Sequence, residues 1–236
     1  MHKYVKTIAI YAIVLSIFLT AGVLGNRSIT VISQNLPIER GNCIIIDAGH
    51  GGVDGGATSC TGVLESQLNL EIALRLEDLM HLLGLQTYMI RRTDCSVYTE
   101  GETIAAKKIS DLKKRVQIVN DTDNAVLISI HQNHFSDSRY SGAQVFYADT
   151  QSSKELAGMI QSDIAACLDK NNKRQIKKAD GVYLMQKVQC PAVLIECGFL
   201  SNHQEEARLR DPVFQKRLCS IISVSVSKFL DRENVR

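Results

Sequence analysis

The pattern of hydrophobic and polar positions becomes regular from Cys43 onward. Short apolar runs there alternate with longer segments in which apolar residues recur every three or four positions. Short β-branched runs predict buried strands, and the longer spacing predicts amphipathic helices. The alternation favours an α/β fold: a single layered domain with a central, mostly parallel sheet of about six strands, flanked by helices.

Six segments are predicted as strands because each is a short apolar run bounded by turn residues. They are Cys43–Ala48, Gln86–Arg91, Ala125–His131, Gln144–Ala148, Val182–Gln186 and Ala192–Cys197. The polar run Asp169–Asp180 is predicted as a surface loop. A turn over Arg92-Thr93-Asp94 follows the second strand. Arg92 is expected there either to bind a substrate carboxylate or to pair with Asp94.

Two helices are predicted in the first half of the chain. Ser66 is the expected N-cap of the first, and Gly84 is expected to end it in a left-handed conformation. Its apolar stripe is Leu68, Ile72, Leu76, Leu79 and Leu83. The second helix spans Ile104–Asn120, and its lysines and arginine are expected on the face opposite its apolar stripe.

Two further helices are predicted in the second half of the chain. One opens at Ser152 or Ser153, either of which is a suitable N-cap. The other begins at Asp211-Pro212, because proline fits the first turn of a helix. Its docking stripe is Leu218, Ile222, Ser225 and Phe229.

The first 25 residues differ in kind from the rest. Lys3 and Lys6 precede an uncharged apolar stretch, Ile8–Leu24, that is just long enough to span a membrane. The preceding lysines predict an N-in, C-out signal anchor, with a cleaved signal peptide as the alternative. Residues 26–41 are predicted as a polar tether and residues 42–232 as the folded domain.

Composition narrows the class of protein. A chain of 236 residues can bury a full core, and a net charge of +2 gives no support to a nucleic-acid partner. The seven cysteines are too sparse for a disulfide scaffold and are expected to be buried or incidental thiols. Because no Cys-x-x-Cys spacing occurs, a zinc site built on thiolates is not supported.

A glycine-rich turn follows the first predicted strand, in Ile44–Gly52, and carries His50. That layout places an imidazole at the carboxyl end of a buried strand, where open α/β sheets build their sites. The alternative is a nucleotide-binding loop. The glycines do not complete Gly-x-Gly-x-x-Gly, and no Gly-Lys-Ser/Thr follows them, so phosphate binding is disfavoured.

Three further residues give this loop a chemical meaning. Glu65 stands at a helix start, while His131 and Glu196 end two other apolar strands. Taken singly, each has an ordinary structural explanation, such as a carboxylate that interacts with a helix dipole. Together, two histidines and two glutamates at the mouth of one sheet indicate a catalytic metal with a general base.

Four motifs that contain these residues resemble one enzyme family. The chain is similar to the zinc-dependent N-acetylmuramoyl-L-alanine amidases of the amidase-3 type, and the motifs occur in that family's order. They are Ile45–Gly52, Gly62–Leu70, Ser129–Asn133 and Pro191–Asn202. The resemblance implies that His50, Glu65 and His131 bind Zn²⁺ and that Glu196 is catalytic. His134 is expected at the rim of the site.

The resemblance also implies a reaction, which is hydrolysis of the amide between the lactyl group of N-acetylmuramic acid and L-alanine in peptidoglycan. Asp47 is expected either to orient a ligand histidine or to bind amides of the glycine loop. Two rival functions stay open: a metallopeptidase that cuts wall peptides, and a wall-binding protein without activity. The presence of both Glu65 and Glu196 weighs against the second.

A lone catalytic domain behind an N-terminal apolar segment resembles the spore-cortex, germination-specific amidases, as does the sequence Lys107–Val116. This similarity implies an exported protein on the outer side of a bacterial membrane, which contacts the membrane only through its N-terminus. An exported activating partner is also expected. The segments Lys107–Arg115 and Asp169–Asp180 are two candidate surfaces for it.

Overall fold

The computed structural model describes residues 41–233 of the chain. The predicted signal anchor at residues 1–25 and nearly all of the tether lie outside the described residues. Within the described part, no helix is both long and apolar enough to cross a membrane.

Six strands form one sheet in the order β2-β1-β3-β6-β4-β5. Every neighbouring pair is parallel except β4 and β6, which are antiparallel. The strands are β1 Cys43–Ala48, β2 Gln86–Met89, β3 Ala125–Asn133, β4 Gln144–Tyr147, β5 Lys177–Lys178 and β6 Ala192–Phe199. The predicted α/β class, with a mostly parallel sheet, is confirmed.

Helices cover both faces of this sheet. They are α1 Glu65–Leu82, α2 Ile104–Asn120, α3 Gln151–Cys167, α4 Tyr183–Lys187, α5 His203–Arg210 and α6 Pro212–Glu233. The larger core lies between the sheet and α1, α3 and α6, and a smaller core lies on the side of α2 and α4. Ile44 and Ile46 enter the larger core, whereas Ile45 enters the smaller one. Burial on both faces explains why the central strands are continuously apolar.

The predicted strand at Val182–Gln186 is wrong, because that segment contains the short helix α4. Its neighbouring residues Leu184 and Met185 are buried in the same core, whereas successive side chains of a strand would point to opposite faces. The sheet still has six strands, because β5 takes the place of the wrongly predicted one. β5 is a two-residue edge strand of exposed lysines inside the run that was predicted as a loop. Short, charged edges of this kind resist pairing with other chains.

The starts of two helices also differ from the prediction. Ser66 is buried inside α1, which begins at Glu65 without a side-chain cap. Thr150, rather than Ser152 or Ser153, caps α3 by accepting a hydrogen bond from the Ser153 amide. Within the predicted stripe of α1, Leu83 is half-exposed, since the buried face runs through Met80 instead.

Other predicted boundaries are confirmed. Gly84 has φ +75° directly after α1, as expected for a residue that ends a helix. α6 begins at Pro212, and its whole predicted stripe is buried. α5 was not predicted, because its sequence contains only two apolar residues, Ala207 and Leu209.

Candidate metal centre

Three of the residues singled out in the sequence meet at the carboxyl edge of the sheet. The ligand atoms of His50, Glu65 and His131 all lie within 4.8 Å of one another. The Glu65 carboxylate lies between the two imidazoles, with Oε2 3.2 Å from His50 Nε2 and Oε1 2.9 Å from His131 Nδ1. The three side chains therefore form one compact set of two nitrogen donors and a carboxylate.

The fold accounts for this convergence. β1 and β3 are neighbouring parallel strands, so the turn after β1, which carries His50, lies beside His131 near the end of β3. His50 itself has φ +60°, an uncommon value for a residue other than glycine. Glu65 is the first residue of α1, whose first turn faces the same edge.

Two glycines permit the close approach of the three clustered side chains. A Cβ atom on Gly49 would lie 2.2 Å from the His131 ring. A Cβ atom on Gly56 would lie 2.6 Å from Glu65 Oε2 and 2.7 Å from His50 Cδ2. Any larger residue at either position would displace a member of the cluster, so the loop requires glycine there for steric reasons.

The electrostatics of the cluster suit a cation. Burial alone would raise the pKa of Glu65, but hydrogen bonds and charge interactions with His131 and His50 hold it well below its usual range. Burial alone would lower the pKa of His50, but Glu65 and Asp54 raise it. Glu65 is therefore a permanent anion, and both imidazoles face it.

Neighbouring polar groups fix the orientation of these side chains. The Asp54 carboxylate lies 2.8 Å from His50 Nδ1, which leaves Nε2 directed at Glu65. The Asn69 amide donates to Glu65 Oε1 at 3.2 Å, and the Ala57 amide donates to Oε2 at 3.0 Å. Such partners usually orient metal ligands. The sequence reasoning missed Asp54 and Asn69, although each lies four residues from a cluster member.

Glu196 occupies the neighbouring strand of the sheet. It pairs in register with His131 across β3 and β6, and within the described residues its buried Oε2 has no hydrogen-bond partner. Burial raises the pKa of Glu196 to about 7, with smaller and opposing effects of His131 and Glu65. A carboxyl group that titrates near neutrality can serve both as a base and as an acid.

Arg115 and Asp47 differ from their predicted roles. Arg115 does not face solvent: only 2% of it is exposed, and it forms an ion pair with Asp47. Asp47 also accepts a hydrogen bond of 2.6 Å from Ser129 Oγ. Among the described residues, Asp47 forms neither of its predicted contacts, with a histidine of the cluster or with amides of the glycine loop.

Arg92, which follows β2, does not form its predicted pair, and the neighbouring Arg91 has a role that was not predicted. Arg92 pairs with Glu77, not with Asp94, whose carboxylate accepts a hydrogen bond from the Gly52 amide. Arg91 is buried and donates to the carbonyl oxygens of Ala48 and Gly49, among others. Arg91 thus braces the turn that carries His50.

A cleft of about 230 Å³ opens beside the cluster. His50, His131 and Glu196 line it together, and α2 and α4 contribute the apolar residues Leu112 and Leu184. His134 is exposed and lies outside the cluster. The arrangement offers a metal set, a free carboxyl group and a partly apolar wall in one opening.

Comparisons with known proteins agree on one family. A family model for N-acetylmuramoyl-L-alanine amidase matches residues 44–228. The germination-specific N-acetylmuramoyl-L-alanine amidase of Bacillus subtilis (strain 168) is 36% identical over 197 residues, which cover 83% of this chain and 82% of the relative.

Solved structures share the architecture. The CwlD amidase from Clostridioides difficile, solved in complex with the GerS lipoprotein, matches with a TM-score of 0.78 and 39% identity over 81% of this chain and 99% of that one. An N-acetylmuramoyl-L-alanine amidase from Clostridium difficile 630 matches with a TM-score of 0.70 and 31% identity over 81% of this chain and 97% of that one. Since the family model also matches most of the chain, this protein belongs to the N-acetylmuramoyl-L-alanine amidase family.

Proposed function

We propose that this protein is a zinc-dependent N-acetylmuramoyl-L-alanine amidase. It hydrolyses the amide that joins the lactyl group of N-acetylmuramic acid to L-alanine in peptidoglycan. The observation that carries this proposal is the meeting of His50, Glu65 and His131 beside the unpartnered carboxyl oxygen of Glu196. Membership of the family and the names of the relatives support the choice of substrate.

His50, Glu65 and His131 fit zinc as its protein ligands. Two imidazoles and one carboxylate are a common catalytic zinc set, which leaves a coordination position for water or substrate. When bound, zinc would polarise the substrate carbonyl and make water a stronger acid. Asp54 holds His50 in the orientation that this set needs.

Glu196 moves the proton in this proposal. Its Oε2 has no hydrogen-bond partner in the described structure, so it is available to take a proton from the attacking water. The same carboxyl group then donates that proton to the leaving nitrogen of L-alanine. In the metal-free protein, burial raises the pKa of this carboxyl group to about 7, which helps it to hold the proton that it passes on.

A digest of intact peptidoglycan tests the reaction. Protein loaded with zinc should release stem peptides with a new L-alanine N-terminus and leave free lactyl carboxylates on the glycan, both of which mass spectrometry detects. Cuts within the stem peptide would instead identify a metallopeptidase. Binding to peptidoglycan with no cleavage at saturating zinc would identify a wall-binding protein.

The biological setting that we propose is the spore cortex, where removal of stem peptides leads to muramic lactam. The support is the 36% identity to a germination-specific amidase. Deleting the gene in its host should reduce the muramic lactam content of the spore cortex. A normal lactam content would leave the amidase assignment intact but contradict this setting.

We also propose that the protein is exported and works on the outer side of the membrane, carried there by residues 1–25 as a signal anchor or signal peptide ahead of the tether 26–41 and the catalytic domain 42–232. Expression of full-length protein fused to a C-terminal reporter would test this. The reporter should be accessible outside the membrane, and recovery of the whole chain in the cytosol would contradict export.

An exported protein partner is the last part of the proposal. The CwlD amidase from Clostridioides difficile was solved in complex with a lipoprotein, which supports a partner for a chain 39% identical to it. The surface of α2 carries the exposed side chains of Lys108 and Ile109. Purified protein should turn over cortex peptidoglycan slowly until the partner is added. Full activity alone, unchanged by extracts of the host, would contradict the partner.

A further inference from the structure

A second group of metal-binding side chains lies apart from the proposed zinc centre. Cys60 lies in the loop between β1 and α1, and His203 and Glu206 lie one turn apart on α5. Cys60 Sγ is 3.1 Å from His203 Nδ1 and 3.6 Å from Glu206 Oε2. The three ligand atoms all lie within 4.8 Å of one another.

Glu206 is held in one orientation. Only 2% of the residue is exposed, and its Oε1 accepts hydrogen bonds from Ser59 Oγ at 3.1 Å and from Thr61 Oγ1. Its other oxygen, Oε2, faces the Cys60 thiol. Two hydroxyl donors thus fix a buried carboxylate so that one oxygen points at the cysteine, as outer partners commonly do for a metal ligand.

The distances suit tetrahedral zinc. With zinc–sulfur bonds of about 2.3 Å and zinc–nitrogen bonds of about 2.0 Å, the ligand atoms of such a site stand roughly 3.5 Å apart. The separations of 3.1 and 3.6 Å lie on either side of that value. The third pair of ligand atoms, from His203 and Glu206, lies within 4.8 Å. Cys60 and His203 are exposed, so both side chains can adjust to a bound ion.

The chemistry of the three side chains also suits a divalent cation. When no cation is present, the Cys60 thiol donates its proton toward Glu206 Oε2 at 3.6 Å. A divalent cation would displace that proton. The thiolate and the carboxylate would then face the cation, while His203 supplies a neutral donor. Arg210, whose Nη1 lies 3.5 Å from Glu206 Oε1, pairs with the other oxygen of that carboxylate.

We propose that Cys60, His203 and Glu206 form a second zinc site, which clamps the loop before α1 to α5. The loop leads to Glu65, and α5 follows the strand that bears Glu196, so the clamp would join the two segments that supply those residues. One backbone bond already links them, from the Cys60 amide to the Leu200 carbonyl at 3.1 Å. The bound ion would therefore stabilise the loop that presents Glu65.

Cobalt titration of the full-length chain tests this site under reducing conditions. A thiolate bound to Co²⁺ gives a sulfur-to-metal charge-transfer band in the near ultraviolet, and the centre at His50, Glu65 and His131 contains no sulfur. We expect the intensity of this band to saturate when one Co²⁺ ion per chain is bound at the site of Cys60, His203 and Glu206. Cys60→Ser should abolish it. Cys167→Ser, which alters another exposed cysteine, should leave it unchanged.

Two further variants keep the result specific. His203→Asn should weaken cobalt binding at this site, as measured from the band, by at least tenfold. Thr61→Val, which removes one donor to Glu206, should weaken it by about 10- to 100-fold. No band in the parent protein, or a band that survives Cys60→Ser, would overturn the proposal. The band does not depend on turnover, so a failure of the amidase assignment would leave this result unaffected.

Discussion

The Arg115 guanidinium forms an ion pair with the Asp47 carboxylate directly beneath the turn that carries His50. Arg115 also donates to the carbonyl oxygens of Ala48 at 3.0 Å and His50 at 2.8 Å. A single side chain from α2 therefore donates hydrogen bonds both to a carbonyl oxygen at the end of β1 and to one in the turn that follows it. We infer that this pair holds the turn that carries His50 in place.

Removing the arginine should be costly. Arg115→Met leaves the Asp47 charge buried without its main partner, so we expect the free energy of unfolding to fall by about 3–5 kcal/mol. Arg139 pairs with Asp137 at the surface, and Arg139→Met should change stability by less than about 1 kcal/mol. Urea unfolding of both variants measures the contrast. Equal small losses would show that the buried pair contributes little.

The same pair should appear in the acid dependence of stability. Burial alone would raise the pKa of Asp47, but Arg115, His131 and Ser129 hold it below its usual value in the folded protein. A lowered folded pKa stabilises the fold above the unfolded pKa of about 3.9, and this contribution is lost as pH falls through the folded value. Asp47→Asn should therefore be less stable than the parent at neutral pH, and the difference should shrink below about pH 4. A gap that is constant from neutral to acid pH would contradict this.

The ligand set can be tested by metal content. His50→Ala, Glu65→Gln and His131→Ala should each lose one zinc equivalent and nearly all amidase activity, because a catalytic zinc site with two protein ligands binds weakly. Cys60→Ser should lose the equivalent bound at the second site but keep the one bound by His50, Glu65 and His131. Metal analysis after dialysis separates these cases. Full zinc retention by all three ligand variants would show that the centre is misassigned.

Gly49 and Gly158 make a matched pair for a steric test. A Cβ atom on Gly49 would meet the His131 ring, whereas one on Gly158, in α3, would have no atom of the described residues within 4 Å. Gly49→Ala should displace His131 and weaken zinc binding. Gly158→Ala should raise stability by about 1 kcal/mol, because alanine is the better helix former. Calorimetry and metal titration of both variants give the answer, and normal zinc affinity in Gly49→Ala would count against the close packing.

The hydrophobic pattern predicted most of the fold because the central strands and long helices bury apolar residues on regular faces. The pattern failed where the buried side chains are polar or charged. On α2 the periodicity placed Arg115 toward solvent, yet Arg115 is buried and Ile109 is 57% exposed. The reason is that α2 packs over the polar end of β1, where Asp47 needs a cation. A pattern that equates burial with apolarity cannot show such a pair.

Only part of the candidate metal centre could be predicted from the sequence, namely the residues whose place follows from the order of the strands. His50 and His131 end parallel strands, and strand ends meet at one edge, so their meeting follows from topology. Asp54 orients His50 from within an irregular loop, whose path no periodicity determines. The same holds for Cys60, which meets α5 only through the tertiary fold. Loop residues of this kind become visible only in three dimensions.

The last prediction concerns Glu196. Glu196→Gln should keep zinc but lower amidase turnover by about 10²- to 10⁴-fold, because an amide cannot shuttle the proton. Glu77 is a buried carboxylate on α1 that pairs with Arg92 away from the cleft. As a control, Glu77→Gln should retain turnover per folded molecule. Equal losses in both variants would indicate a structural role for Glu196.

A stability measurement on metal-free protein distinguishes the two roles independently. Burial raises the pKa of Glu196 to about 7 in the folded chain from an ordinary value of 4.5. Because the folded state then holds the proton more tightly, ionisation of Glu196 costs stability as pH rises between these two values. Glu196→Gln removes that cost, so after chelation it should be more stable than the parent by about 1–3 kcal/mol at pH 8 and equal to it below about pH 4. Urea unfolding across this pH range gives the comparison. A variant that is less stable at every pH would mean that Glu196 supports the fold, and the catalytic assignment would lose its electrostatic basis.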